Sequence, residues 1–321
     1  MIALWIALGL LVLAGAAALV ALWTFRKAFY NPPRVNENFY QLPDGEQYDK
    51  HHDDMMQMIK EFDEAPFEWV ETVSHDGLKL KGRFYNWHGD GAPIQIQFHG
   101  YKAMAIRDYS GGSRLAKALG YNVLLIEQRA QGQSDGNVIA FGILERYDCL
   151  RWIDYVNARF GARTPVYLAG ISMGAATVLM ATEFDLPKNI RGVLADCPYS
   201  SPEKIIAKVC RGMGYPEKLA MPFVRLGARL YGGFSLRASS AVQAVKKATV
   251  PVLIIHGDDD RFVPCEMSKE IYDAYADEKT LEIFENAGHG ICFLEDYKRY
   301  ERVLKAFIVR CENRAKERGL V

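Results

Sequence analysis

The stretch PVYLAGISMGAATVLMAT, residues 165–182, decides how the rest of the chain is read. It opens on a short apolar run of the kind that forms a buried strand and, from Met173, continues with the small and apolar side chains of a helix that packs tightly on a sheet. Between them stands Gly-x-Ser-x-Gly, centred on Ser172. A reactive serine on a sharp strand-to-helix turn needs small residues two before and two after it, because backbone approaches backbone there. The same five-letter pattern recurs as GQSDG, residues 132–136. There the preceding apolar run ends at Ile126, the polar EQRAQGQ intervenes and DGN continues the loop. Ser172 is therefore the candidate nucleophile, and Ser134 reads as a turn residue.

Outward from this unit, apolar runs of strand length alternate with segments of helical period, the pattern of an α/β sheet. FEWVETV and LKLKGRFYNW, joined by SHDG, form a hairpin; PIQIQF, YNVLLIE, IRGVLAD, PVLIIHG and TLEIFEN complete a set of about eight strands with PVYLAG. The alternation is interrupted over about residues 202–239, where a lipophilic, partly helical insertion is too long for a simple crossover and reads as a cap. The body is expected over residues 67–315.

The N-terminus departs from the pattern of a soluble domain. Residues 2–25 carry no charged side chain and are long enough to cross a bilayer, so residues 1–27 are expected to form a transmembrane anchor rather than a cleaved signal peptide. Arg26 and Lys27 directly after the span place the body on the cytoplasmic side. Residues 28–66 divide into a linker, NPPRVNENFYQLPDG, that separates anchor from body, and a short amphipathic helix with Met55, Met56, Ile59 and Phe62 at helical spacing. His51 and His52 beside Asp53 and Asp54 diverge on such a helix and read as a solvated face, not a metal site.

The chain of 321 residues has 39 basic and 39 acidic side chains, so nothing in its charge steers it toward nucleic acid. Six singly placed cysteines, without C-x-x-C, read as reduced thiols.

Serine needs a base to remove its proton and a carboxylate to orient that base. In a strand–turn–helix arrangement these follow the nucleophile in the order acid, then histidine. Of seven histidines only His256 and His289 come after Ser172; His256 lies inside a strand ahead of any acid of the next loop, which leaves His289 in NAGHG. The acid is one of Asp258, Asp259 and Asp260, or Asp196 at the end of IRGVLAD, each at the carboxyl end of a strand. The oxyanion donors are expected to be the N–H groups of Met173 and of Tyr101, with His99 and Gly100 shaping the turn after PIQIQF.

HGY at 99–101, GISMG at 170–174, HGDDDRFVP at 256–264 and AGHG at 287–290, in this order, resemble the α/β-hydrolase superfamily from Phe67 to about Arg310. The resemblance implies a mostly parallel eight-stranded sheet flanked by helices with a helical cap. It also implies that the acid is the third residue after His-Gly in HG-x-x-D-x-x-V-P, here Asp260. IEQRAQGQSDG is similar to the family's D-x-R-G-x-G-x-S-x-G loop, departing with Gln128 and Ala130 where Asp and Gly are usual. The chain is most similar to small bacterial esterase-like members, a group that shades into acyl-peptidases.

The expected activity is hydrolysis of a carboxylic ester through an acyl-enzyme, with no metal or organic cofactor. The cap and anchor tilt the substrate toward acyl chains of modest length or lipid-derived esters, although a hydrophobic cap suits aromatic esters equally. An amide or peptide hydrolase using the same triad is the alternative, though this chain has no propeller domain to select peptides. A non-catalytic binding module on the same fold is disfavoured by the complete set of catalytic residue types.

Overall fold

The computed structural model describes residues 1–32, 40–43 and 45–320; much of the expected linker, residues 33–39 and 44, lies outside the described residues. Eight strands form one sheet: β1 (Glu68–Val73), β2 (Lys79–Tyr85), β3 (Ile94–Phe98), β4 (Asn122–Ile126), β5 (Val166–Ile171), β6 (Ile190–Asp196), β7 (Val252–Gly257) and β8 (Lys279–Phe284). Their order is β1-β2-β4-β3-β5-β6-β7-β8. β2 pairs antiparallel with β1 and β4, and every other pairing is parallel. β3, β4, β6 and β7 are buried along their whole length; β4 and β7 read as nearly unbroken apolar runs, whereas β3 alternates, with its Gln95 and Gln97 buried and hydrogen-bonded to each other. β3 lies between β4 and β5, so the connection leaving β3 runs toward β4 while the one leaving β5 runs the opposite way, toward β6. That switch point opens a crevice beneath the HGY and GISMG turns.

The helices are α1 (Ile2–Ala28), α2 (Glu46–Asp49), α3 (His52–Glu64), α4 (Ala105–Ala118), α5 (Glu145–Phe160), α6 (Met173–Ala181), α7 (Pro202–Gly212), α8 (Glu217–Leu230), α9 (Ala241–Val245), α10 (Glu266–Ala274), α11 (Cys292–Glu295) and α12 (Tyr297–Glu317). α5, α6, α9 and α10 cover one face of the sheet, with Trp152, Leu179, Val245 and Ile271 in its core. α3, α4 and α12 cover the other through Ile59, Phe62, Ile106, Leu304 and Phe307. The amphipathic helix expected near residues 46–62 is thus α3, docked by its apolar stripe with Met58, Ile59 and Phe62 buried. α7 and α8 form the insertion between β6 and β7.

A third core joins α1 to this insertion. The first turns of α1 expose their apolar side chains, whereas Ala21, Thr24 and Phe25 are buried against α8. Gly227 of α8 permits the approach: a Cβ there would lie 2.5 Å from the carbonyl oxygen of Ala21. Thr24 Oγ1 donates to the carbonyl of Phe223 at 3.1 Å. Just past the helix, Phe29 is fully buried with its ring edge-on to Phe141 and Phe234, and Asn31 N–H donates to the carbonyl of Asn137. The chain therefore stays bound to the body as far as Asn31, later than an anchor followed at once by a free linker would allow. The sequence did not show this because one apolar composition serves both lipid and protein contacts.

GQSDG occupies the loop after β4, as expected. Ser134 Oγ donates to the carbonyl of Glu127 at 2.6 Å and accepts Lys81 N–H at 2.9 Å, tying the loop to β2. Ala130 sits at φ +60, a conformation that costs a non-glycine residue on the order of 1 kcal/mol, which explains the usual glycine there. One detail is corrected: counting back from Arg129, the acid position of the loop pattern falls on Glu127, not Gln128. The Glu127 carboxylate accepts Gln133 N–H and closes the turn.

Candidate active site

Ser172 stands between the end of β5 and the first turn of α6 at φ +54 and ψ −114, a strained conformation for a residue with a Cβ. Its N–H donates to the carbonyl of Asp196 at 2.8 Å, pinning the turn to β6. The flanking glycines are sterically required. A Cβ on Gly170 would meet the carbonyl oxygen of Gly174 at 2.2 Å, and one on Gly174 would lie 1.8 Å from that of Phe98. The small residues inferred from the pattern are thus what lets α6 start against β3.

The turn aims Ser172 Oγ at His289 Nε2, 3.0 Å away, and His289 Nδ1 lies 2.7 Å from Asp260 Oδ2. Asp260 Oδ1 accepts the N–H groups of Phe262 and Val263 at 2.9 and 2.7 Å. Burial by itself would raise the carboxyl of Asp260, but hydrogen bonds from His256 and His289 hold it well below the usual carboxylate range. The other acids are engaged elsewhere. Asp258 Oδ1 accepts Asn286 N–H, Asp259 pairs with Arg261 at the surface, and Asp196 Oδ2 accepts the Tyr300 hydroxyl at 2.9 Å.

His256 also meets Asp260, a contact the sequence reading set aside. Its Nε2 faces two acceptors, Asp260 Oδ2 at 3.1 Å and the carbonyl of Val263 at 2.9 Å, so it carries the ring proton, and Nδ1 accepts from Ser268 Oγ at 2.6 Å. It braces the acid rather than acting as a base. The available signal was its place four residues before Asp260 within HGDDDRFVP.

The loop after β3 lies against the serine: a Cβ on Gly100 would be 3.7 Å from Ser172 Cβ. Asp108 Oδ2 accepts Gly100 N–H at 2.9 Å, and Gln128 Nε2 donates to the His99 carbonyl at 2.5 Å, so two side chains fix the loop. Among the described residues, the N–H of Tyr101 has no acceptor outside helices and strands. Met173 N–H, at the first position of α6, lacks an intrahelical acceptor by position. Among the described residues, neither N–H group expected as an oxyanion donor therefore has an acceptor outside helices and strands. The Tyr101 side chain turns away and donates to the carbonyl of Ala28 at 2.8 Å, joining this loop to the end of α1.

Ser172 and His289 open into a cavity of about 420 Å³ walled by Met55, Met58, Ile171, Phe293 and Leu294. The segment before β1 contributes directly, because Tyr48 of α2 donates to the carbonyl of His289 at 3.0 Å. A second cavity, of about 410 Å³, lies at the opposite ends of the strands near Pro187, Val250 and Arg314, away from these groups. Ligand atoms of Cys197, Asp260 and His289 lie within 4.8 Å of one another. The histidine and carboxylate are already committed to each other, and burial pushes the Cys197 thiol well up, so this set is a poor metal cradle.

Comparison with known proteins bears on the family and the fold. Residues 87–304 match the model of the alpha/beta hydrolase family. The chain is 27% identical over 191 residues, 59% of its length, to the uncharacterised protein YqkD of Bacillus subtilis. It is 26% identical over 238 residues, 70% of its length, to the lysophosphatidylserine lipase ABHD12 of Danio rerio. These matches span 63% and 56% of the two relatives. Among solved structures, the Pyrococcus furiosus esterase Pf2001 superimposes with a TM-score of 0.65 at 22% identity, over 88% of this chain and 98% of that one, a likeness of fold. With a family model matching well over half of its length, and a sheet whose order places the serine turn at the switch point, this chain belongs to the α/β-hydrolase family.

Proposed function

We propose that the protein is a serine hydrolase of carboxylic esters, in which Ser172 is the nucleophile, His289 the general base, Asp260 its orienting carboxylate, and Tyr101 N–H and Met173 N–H the oxyanion donors. The observation that carries the proposal is the unbroken hydrogen-bonded line from Ser172 Oγ through His289 to Asp260, held at a strained turn. His289 Nε2 takes the proton as Oγ attacks the carbonyl carbon, and the oxyanion is held by the two backbone donors. The imidazolium then protonates the departing alkoxide, leaving an acyl-Ser172 ester. Water, deprotonated by the same nitrogen, releases the carboxylic acid and restores the serine.

The size of the cavity, the lipase among the relatives and the esterase among the fold neighbours favour an acyl ester with one chain of modest length. A panel of p-nitrophenyl esters of increasing chain length, set against aminoacyl anilides, tests this. Esters are expected to be preferred in kcat/KM by well over an order of magnitude, with an optimum at short or middle chain length. Anilide cleavage at comparable efficiency would move the assignment to an amide hydrolase.

We further propose that α1 spans a membrane with the body on the cytoplasmic side, next to Arg26 and Lys27. Trp5 and Trp23 mark its ends about 27 Å apart, close to the ~30 Å of a hydrocarbon core. Tyr215, edge-on to Trp23, and Tyr231, bonded to the carbonyl of Ala18, extend an aromatic belt onto α8 and its flanks. The bond from Tyr101 to Ala28 then ties the loop beside Ser172 to the end of α1, which keeps the site close to the membrane surface, where an amphiphilic ester concentrates. The full-length protein is expected to stay with the membrane fraction through alkaline carbonate, and a form lacking residues 2–20, which keeps the buried turn of α1, to be released. Recovery of the full-length protein in the soluble fraction would contradict the anchor.

A further inference from the structure

The cavity at Ser172 has a polar floor that the hydrolytic machinery leaves unused. Asp196 ends β6 and is 6% exposed; Oδ2 accepts the Tyr300 hydroxyl at 2.9 Å, whereas Oδ1 is buried and has no hydrogen-bond partner among the described residues. No lysine or arginine among the described residues bonds to this carboxylate. Asp196, Tyr109 and Tyr300 line the same cavity as Ser172 and His289, beneath the apolar wall of Ile171, Met58 and Phe293. Tyr109, on α4, is itself buried, and its hydroxyl has no hydrogen-bond partner among the described residues. A carboxylate oxygen withdrawn from water with no donor opposite is costly, so a site built this way is completed by a ligand that brings the donor. The Ser172 N–H bond to the Asp196 carbonyl keeps this floor within a few bonds' reach of the reacting carbonyl.

We propose that Asp196, with the phenol of Tyr109, is a recognition subsite for a hydrogen-bond donor on the substrate, a hydroxyl or a primary ammonium a few bonds from the scissile carbonyl. The enzyme then selects esters carrying such a group over all-carbon esters of the same size. The inference rests on the hydrolytic reading of Ser172 and adds a substrate class to it.

The two donor chemistries separate by pH. Tyr300, Tyr109, Cys197, Cys292, His256, His289 and Asp260 surround Asp196. Burial, opposed by the hydrogen bond from Tyr300, pushes its carboxyl up to about 6. Above that pH it is an anion matched to an ammonium; below it the anion is lost, while the protonated acid still bonds a hydroxyl. Preference for an ammonium ester over an alkyl ester therefore fades as pH falls through about 6. Both substrates use the same serine and histidine, so the ratio cancels whatever pH dependence the chemical steps share.

The test uses the full-length protein with the methyl esters of pentanoic, 3-hydroxybutyric and 3-aminobutyric acids, followed by acid release between pH 5 and 8. At least one donor-bearing ester is expected to exceed the pentanoate by about tenfold or more in kcat/KM, chiefly through KM, because a site with unpaired polar groups rejects the analogue that lacks the donor. Asp196→Asn is expected to remove most of an ammonium preference and to spare a hydroxyl preference in part. Tyr109→Phe, which deletes a single oxygen, is expected to lower the same ratio and serves if Asp196→Asn does not fold. Turnover of all three esters without preference, or an Asp196→Asn enzyme in which all three change in proportion, overturns the subsite alone. Turnover of none overturns the hydrolytic reading and the subsite with it.

Discussion

Ser172→Ala is expected to lower kcat for ester hydrolysis by about 10⁵ to 10⁶, the scale seen when a serine nucleophile is removed and only binding and oxyanion stabilisation remain. The loss is chemical, not structural. Alanine has a Cβ of the same size, so the backbone at φ +54 bears the same strain, and the bond from the residue 172 N–H to the Asp196 carbonyl does not involve the side chain. Ser172 makes no side-chain cap to α6, so no helix-end bond is lost. Thermal unfolding should therefore match that of the wild type within a few degrees. Ser134→Ala is the informative control, for it deletes a hydroxyl from the same five-letter pattern. That hydroxyl bridges Glu127 and Lys81, so its removal is expected to cost about 1 kcal/mol of stability and to leave the chemistry intact.

Asp260→Asn is expected to lower kcat by about 10⁴, because an amide at this position imposes the wrong histidine tautomer. Oδ1 accepts two backbone N–H groups, from Phe262 and Val263, and these hold the oxygen of an Asn on that side. Its NH₂ then faces His289 Nδ1, which must accept rather than donate. The ring proton moves to Nε2, the atom that should take the proton of Ser172. The same NH₂ meets the N–H of His256, so the brace on the acid becomes a repulsion. Stability follows with a defined sign. Asp260 is depressed in the folded state, so its contribution is complete above the unfolded carboxyl value near 3.9 and is lost as pH falls through the folded value. The stability gap between wild type and Asp260→Asn should be full at neutral pH and narrow in strong acid, while the deficit in kcat persists across the neutral range. Full activity of Asp260→Asn would move the role to Asp258, Asp259 or Asp196.

The central strands were legible because buried parallel strands leave short, largely apolar runs, and β1 and β2 because they alternate across a turn; all eight are found where these patterns predict. Ser172 was legible from context: PVYLAG before it and MGAATVLMAT after it can fold only as strand and helix, whereas Ser134 has a polar loop on both sides. The choice among Asp258, Asp259 and Asp260 was not open to composition or spacing. It depends on which carboxylate the turn at Phe262 and Val263 directs inward, and three adjacent acids look alike until that turn exists. The resemblance to HG-x-x-D-x-x-V-P pointed to the residue that meets His289. The roles of Tyr48, Gln128 and Asp108 were hidden for a related reason, since each acts through contacts 20 residues or more distant, or through one backbone atom of the oxyanion loop. The burial of Ala21, Thr24 and Phe25 against α8 left no mark in a segment that is apolar all round.

The central claim is that Ser172 is the single activated nucleophile, and covalent labelling tests it most directly. Trypsin separates the two serine motifs, placing Ser172 on the peptide 164–188 and Ser134 on the peptide 130–146. After reaction of the full-length protein with a fluorophosphonate, the added phosphonyl mass is expected on peptide 164–188 alone, and to be absent when Ser172→Ala is treated identically. Adduct on peptide 130–146, or undiminished labelling of Ser172→Ala, would contradict the account.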